Sequence, residues 1–153
     1  MAVMRYREAL NEALREEMER DESVILMGED ITLVGISRMA VTAEKAAKVL
    51  ADEHEISAEV IDPRTLRPLD LDTILASVHK TNRCVIVEEG WPHGGVGANL
   101  SALITEQAFD DLDAPVERVT GVPAPMPYAK NLEVLKTPSR AKIAAAIRKA
   151  CNA

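Results

Sequence analysis

Aromatic side chains are scarce in this 153-residue chain: one Trp, two Tyr and one Phe, 3% of the total. A core built on rings is excluded, and a hydrophobic content of 47% leaves the interior to Leu, Ile, Val, Ala and Met. Cysteine is nearly absent too. Cys84 sits in an apolar stretch and Cys151 near the end, which makes neither a disulfide framework nor a metal-ligand set with usable spacing. Basic residues are outnumbered, 18 Lys and Arg against 25 Asp and Glu, for a net charge of −7. Nucleic acid and anionic membrane, which require basic patches, are therefore poor partners, and small molecules or proteins are better ones. No apolar run approaches the ~18 residues of a membrane span, and the acidic, amphipathic start lacks the charged-then-apolar order of a secretory signal. These absences predict an intracellular domain, of a length at which folding hides roughly 70% of the unfolded chain's surface.

What is present alternates between two periods. Residues 5–20 put Tyr6, Leu10, Ala13, Leu14 and Met18 on one stripe, an amphipathic helix, and Ser23–Met27 reads as a short strand. Gly28-Glu29-Asp30 then joins it to a second apolar strand, Ile31–Ser37, a spacing that predicts a hairpin. From there the pattern turns parallel: a helix over Ala40–Ala51, a strand at Ala58–Asp62, and a helix capped by Asp70 with Leu71, Ile74, Leu75 and Val78 inward. Cys84–Glu88 reads as a strand buried on both faces, because Cys-Val-Ile-Val has no polar alternation. A glycine-rich turn follows, with Gly90, Gly94, Gly95 and Gly97 around Trp91-Pro92-His93, and a helix from about Val96 carries Leu100, Leu103 and Ile104. Pro115–Thr120 is the next strand, and the three prolines of 121–128 make an ordered loop. Thr137-Pro138 sets the last helix, with Pro at its first position and Ile143, Ile147 and Cys151 inward. Strand–helix alternation from Ile31 onward predicts an α/β fold, a three-layer α/β/α sandwich with a mostly parallel sheet.

Loops at the carboxyl ends of parallel strands are where open α/β sheets place their chemistry, so the turn after Cys84–Glu88 is the first candidate site. Gly94 to Gly97 could hold an anion on backbone N–H groups at a helix start, although the spacing is not that of a dinucleotide fingerprint and glycines are equally needed for close packing. Glu88 and Glu89 point to opposite faces of a strand, so solvated or capping roles outweigh a shared carboxylate site. His93 has no Ser or Cys partner nearby in sequence, and His54 and His79 offer less. Arg64 and Arg67 read as an ion-pair corner with Asp62 or Asp70. These residues designate no catalytic, cofactor-binding or metal-binding set.

Four ordered segments, VIDPRTLRPLD, KTNRCVIVEEGWPHGGVGANL, AFDDLDAPVERVTG and PMPYAKNLE, together resemble the C-terminal domain of the beta subunit of thiamine-diphosphate-dependent pyruvate dehydrogenase, the transketolase C-terminal fold. The resemblance runs from about Ile31 to Asn152. Glu89-Gly90-Trp91-Pro92 and Met126-Pro127-Tyr128-Ala129 favour the pyruvate enzyme over its branched-chain and acetoin relatives. Residues 5–30 resemble the opposite end of such a subunit, the first helix and strand of its N-terminal pyrimidine-binding domain. The resemblance thus implies two domains' worth of ancestry, 1–30 as a remnant and 31–153 as the C-terminal domain, with an internal deletion between them that would explain the misplaced hairpin.

The resemblance also implies a function. The full enzyme oxidatively decarboxylates pyruvate and acetylates lipoyl groups, whereas this chain lacks the segment carrying the glutamate that protonates the cofactor's aminopyrimidine. It is expected to bind no thiamine diphosphate alone and to be inactive alone. Its implied partners are a second copy of itself, a pyruvate dehydrogenase alpha subunit, and the subunit-binding domain of dihydrolipoyl acetyltransferase. Contact with the last is assigned to Asp113, within the cluster Asp110, Asp111 and Asp113, and to the carboxylate of Ala153. The implied location is a bacterial cytoplasm or a mitochondrial matrix. A further, antiparallel edge strand is also implied, at no position the pattern identifies. The alternative from the residues themselves is a free-standing small-molecule or anion-binding domain using Gly94–Gly97.

Overall fold

The computed structural model describes residues 30–151. The expected helix over 5–20, the strand at 23–27 and most of the Gly28–Asp30 connection lie outside the described residues.

Four strands form one sheet: β1 (Ile31–Gly35), β2 (Ala58–Ile61), β3 (Cys84–Val87) and β4 (Glu117–Val119), in the order β2-β1-β3-β4 with every pairing parallel. Among the described residues the sheet has no antiparallel edge strand. The helices are α1 (Arg38–His54), α2 (Leu71–Thr81), α3 (Val96–Ala108), α4 (Lys130–Lys136) and α5 (Arg140–Cys151), with a 3₁₀ turn at Phe109–Asp111. Because strand side chains alternate, Ile31, Leu33, Val85, Val87 and Val119 face α1 and α5. Val34, Cys84 and Ile86 face α2 and α3. The result is the expected three-layer sandwich. Cys84 to Val87 are all 0% exposed, which is why their stretch carries no polar alternation.

Some boundaries move for local reasons. β1 ends at Gly35 rather than Ser37 because α1 begins immediately and packs onto it: a Cβ on Gly35 would fall against the Ala40 backbone. Ser37 turns the chain with φ 61°. β4 starts at Glu117, since Pro115 offers no N–H and the facing register runs only from Val85 to Val87. The last helix starts at Arg140, not at Pro138. Ser139 is its cap, accepting from the Lys142 N–H at 3.3 Å through Oγ and from the Ile143 N–H at 3.1 Å through its carbonyl. Ala150 completes the inner face there, with Cys151 half-buried, and Leu103 on α3 is likewise only partly covered. Asp70 caps α2 as expected, its Oδ1 accepting from the Thr73 N–H at 3.1 Å and Oδ2 from the Thr73 hydroxyl at 2.7 Å. Those two hydrogen bonds hold its carboxyl below the ordinary range.

Residues 121–128 form neither helix nor strand, as their prolines require. The helix α4 beyond them has no apolar stripe long enough to announce itself, and none of its residues is buried. The polar interior is small, and part of it is a hydroxyl cluster. Thr32 Oγ1 lies 2.7 Å from both Ser77 Oγ and Thr81 Oγ1, tying β1 to α2 by hydroxyls inside the second core.

Candidate functional site

The two ends of the sheet offer different surfaces. At the carboxyl end, β1 leads into α1 on one face while its neighbour β3 leads toward α3 on the other, the arrangement that opens a crevice in doubly wound sheets. Here an ion pair bridges the loops that follow β1 and β3. Arg38, opening α1, donates through Nε to Glu89 Oε1 at 2.9 Å, and its Nη2 pairs with the same oxygen. That hydrogen bond, and then the carboxylate's charge, raise the Arg38 pKa.

Glu88 overturns the expectation of a solvated or capping role: it is only 4% exposed. Its carboxylate lies behind the glycine turn. A Cβ on Gly97 would come 2.6 Å from Glu88 Oε1, one on Gly95 2.7 Å from the same oxygen, and one on Gly90 3.0 Å from Oε2. The glycines of this turn are therefore absences that make room for Glu88. Its Oε1 is buried without a hydrogen-bond partner. The inner side of the glycine turn is thus occupied by Glu88, while its outer side, Gly94 to Val96, lines a groove with Arg67. The described residues supply no cluster of three or more His, Cys, Asp or Glu to hold a metal ion.

The arginine corner divides. Arg64 Nε pairs with Asp62 Oδ2 at 3.0 Å, whereas Asp70 is occupied as the α2 cap. Arg67 instead lines a groove of about 320 Å³ at the carboxyl end of the sheet, together with Ile36, Gly94, Gly95, Val96 and Asn99. His93 is exposed, and His54 lies exposed in the last turn of α1.

At the amino end of the sheet, the 3₁₀ turn and the loop into β4 carry the acidic cluster. Asp111 Oδ2 stands 2.8 Å from His79 Nδ1, and Asp113 Oδ2 stands 3.9 Å from Arg83 Nη2. The Asp113 N–H donates to the Asn82 carbonyl at 2.8 Å, so the segment is pinned to the end of α2. Asp110 and Asp113 border a groove of about 570 Å³. Ala153, the other expected contact, lies outside the described residues. Arg38, Arg83 and Phe109, which lines the groove, were not singled out from sequence. For Arg38 and Arg83 no signal exists, since their partners are 51 and 30 positions away. Phe109, one place beyond the Leu100, Ile104, Ala108 stripe, had one.

What this fold and site define is an open parallel α/β domain with a small groove beside the glycine turn at the carboxyl end of the sheet and an acidic, pinned corner at the other. The family described as Transketolase, C-terminal domain, matches residues 23–143, and the chain belongs to that family. It is 57% identical over 106 residues to the mitochondrial pyruvate dehydrogenase E1 component subunit beta of Dictyostelium discoideum, covering 69% of this chain and 30% of that protein. The corresponding protein of Rickettsia felis is 48% identical over 128 residues, 84% of this chain and 39% of its own length. Subunit beta-1 of Arabidopsis thaliana, also mitochondrial, is 53% identical over 124 residues, 81% of this chain and 34% of its own. The chain thus spans between 30% and 39% of the length of these relatives. A solved structure described as a split-gene transketolase, inactive beta4 tetramer, superposes with a TM-score of 0.65 at 28% identity, over 82% of this chain and 39% of that one. Among the described residues no helix is long and apolar enough to cross a membrane.

Proposed function

We propose that this chain is a cut-down pyruvate dehydrogenase beta subunit acting as an assembly module: it self-associates through its C-terminal domain and docks the subunit-binding domain of dihydrolipoyl acetyltransferase. Residues 1–30 would be the remnant of the pyrimidine-binding domain. The observation that carries the reading is the contrast between the two ends of the sheet. At the carboxyl end Arg38–Glu89 bridges the loops and Glu88 packs behind the glycine turn, leaving a groove of about 320 Å³, while the amino end presents a pinned acidic corner, in a chain of net charge −7, to a basic partner. The tetrameric beta chain among the structural neighbours supports self-association. The names of the relatives support a place beside a pyruvate dehydrogenase alpha subunit, in a bacterial cytoplasm or a mitochondrial matrix.

Decarboxylation and lipoyl acetylation belong, in this proposal, to the longer relatives, where thiamine diphosphate is held by parts this chain does not supply. Calorimetry on the whole chain tests both halves. Titration with the subunit-binding domain should give measurable heat that weakens with salt, because steering between acidic and basic patches is screened. Asp113→Asn should reduce affinity about tenfold, near 1.4 kcal/mol. Titration with thiamine diphosphate and magnesium should give none. Unchanged affinity for Asp113→Asn at low salt would move the docking site elsewhere, and micromolar cofactor binding would refute the assembly-only role.

A further inference from the structure

We infer that the groove beside Asp113 receives an apolar side chain from the same basic partner, with Phe109 as the anchor; this rests on the docking reading above and adds an uncharged half to it. Phe109 is the only phenylalanine in the chain and is 71% exposed. Its exposure has a local cause. Leu100, Ile104 and Ala108 carry the buried stripe of α3 to its last residue, and the 3₁₀ turn then swings the next side chain outward. A lone exposed ring is ordinary on a protein surface, but this one stands over a formed depression. The groove of about 570 Å³ is lined by Ser101, Thr105, Phe109, Leu112, Pro115 and Val116. Leu112 and Val116 pack on the core beneath, so its floor is fixed before any partner arrives.

The rim states the chemistry of the occupant. Asp110 and Asp113 border the apolar floor, while the adjoining surface beyond Ser101 and Thr105 carries Glu106 and Arg118. A segment that fits must carry an apolar side chain for the floor and a lysine or arginine beside it for the rim. The apolar surface at the other end of the sheet offers no such specification. Tyr128, Val134 and Leu135 stand there among charges of both signs, Lys130, Glu133 and Lys136. Aromatic residues over a formed pocket are where binding free energy concentrates in interfaces, with charged contacts at the rim contributing mainly specificity and association rate.

The experiment titrates the full chain with the subunit-binding domain at low and high salt, using Phe109→Ala, Phe109→Leu and Asp113→Asn. Phe109 is exposed, so both replacements should melt with the wild type. Phe109→Ala should weaken binding at least tenfold at both salt concentrations, Phe109→Leu by less, and the Asp113→Asn loss should shrink as salt rises. If Phe109→Ala binds like the wild type while Asp113→Asn does not, the groove inference is overturned and the docking reading stands. If neither variant differs from the wild type, or the wild type does not bind, both fall. If Phe109→Ala instead breaks up self-association and leaves domain binding intact, the groove takes a second copy of this chain, and the inference is overturned in that way.

Discussion

Replacing Gly97 by alanine should destabilise the fold even though alanine is the better helix former. In a helix interior the exchange ordinarily gains about 1 kcal/mol, and at Gly97, the second residue of α3, it gains less. Here the added methyl would lie 2.6 Å from Glu88 Oε1, 3.0 Å from its Cδ and 3.2 Å from Ile86 Cγ2. The carboxylate cannot simply swing aside, because Gly95 and Gly90 already lie against it and the side chain is only 4% exposed. Overpacking a filled site costs about 1–3 kcal/mol, which outweighs the propensity gain, and at about 2–4 °C per kcal/mol for a chain of this size the melting temperature should fall by several degrees. The same substitution in a Glu88→Ala background has nothing to strike and should be neutral or stabilising. The two backgrounds should therefore differ by about 2 kcal/mol, a coupling of the size contacting residues show. Urea unfolding of the four proteins, followed by circular dichroism, measures it. An equal effect of Gly97→Ala with and without the Glu88 side chain would refute the account of this turn as a nest for a buried carboxylate.

The remaining predictions concern titration and capping. Burial pushes the Cys84 thiol from 9.0 up to about 12. Below pH 9 folded and unfolded chains both keep the proton; above it the unfolded chain loses its proton first, so stability should fall by about 1.4 kcal/mol per pH unit toward pH 12. Denaturant midpoints from about pH 8 to 11 should show that slope and Cys84→Ala should lack most of it, while a thiol reagent at neutral pH should label Cys84 only after unfolding; a steep-free wild type or a labelled native Cys84 contradicts its burial. Asp70→Ala should lower the melting temperature by less than Gly97→Ala does. Because the folded carboxyl sits below its ordinary 3.8, its contribution is present above that value and lost as pH falls through the folded one, so variant and wild type should converge in strong acid. Persistence of the difference there would assign the loss to something other than the carboxylate cap.

The fold was legible because its information is local. Uninterrupted Val, Ile and Cys at 84–87 mark a strand covered on both sides, and the spacing of Ile74, Leu75 and Val78 behind Asp70 marks a capped helix; neither depends on distant residues. The match of ordered segments to a known family rests on the same linear information, and residues 23–143 carry it. α4 escaped for the converse reason, since a seven-residue helix with no buried side chain leaves no period to find. The character of the two sheet ends was not available from the chain alone. Glu88 and Glu89 are neighbours in sequence with nothing to tell them apart, and only the packing of α3 against β3 buries one among glycines while the start of α1 brings Arg38 to the other. The acidic corner is likewise readable as composition, but its attachment to Arg83 and the Asn82 carbonyl, and the groove that exposes Phe109 beside it, come from β3 and β4 lying side by side. Local periodicity determines which segments become strands and helices; contacts between residues far apart in the chain decide which carboxylates are buried, paired or presented, because desolvation and pairing are properties of three-dimensional neighbours.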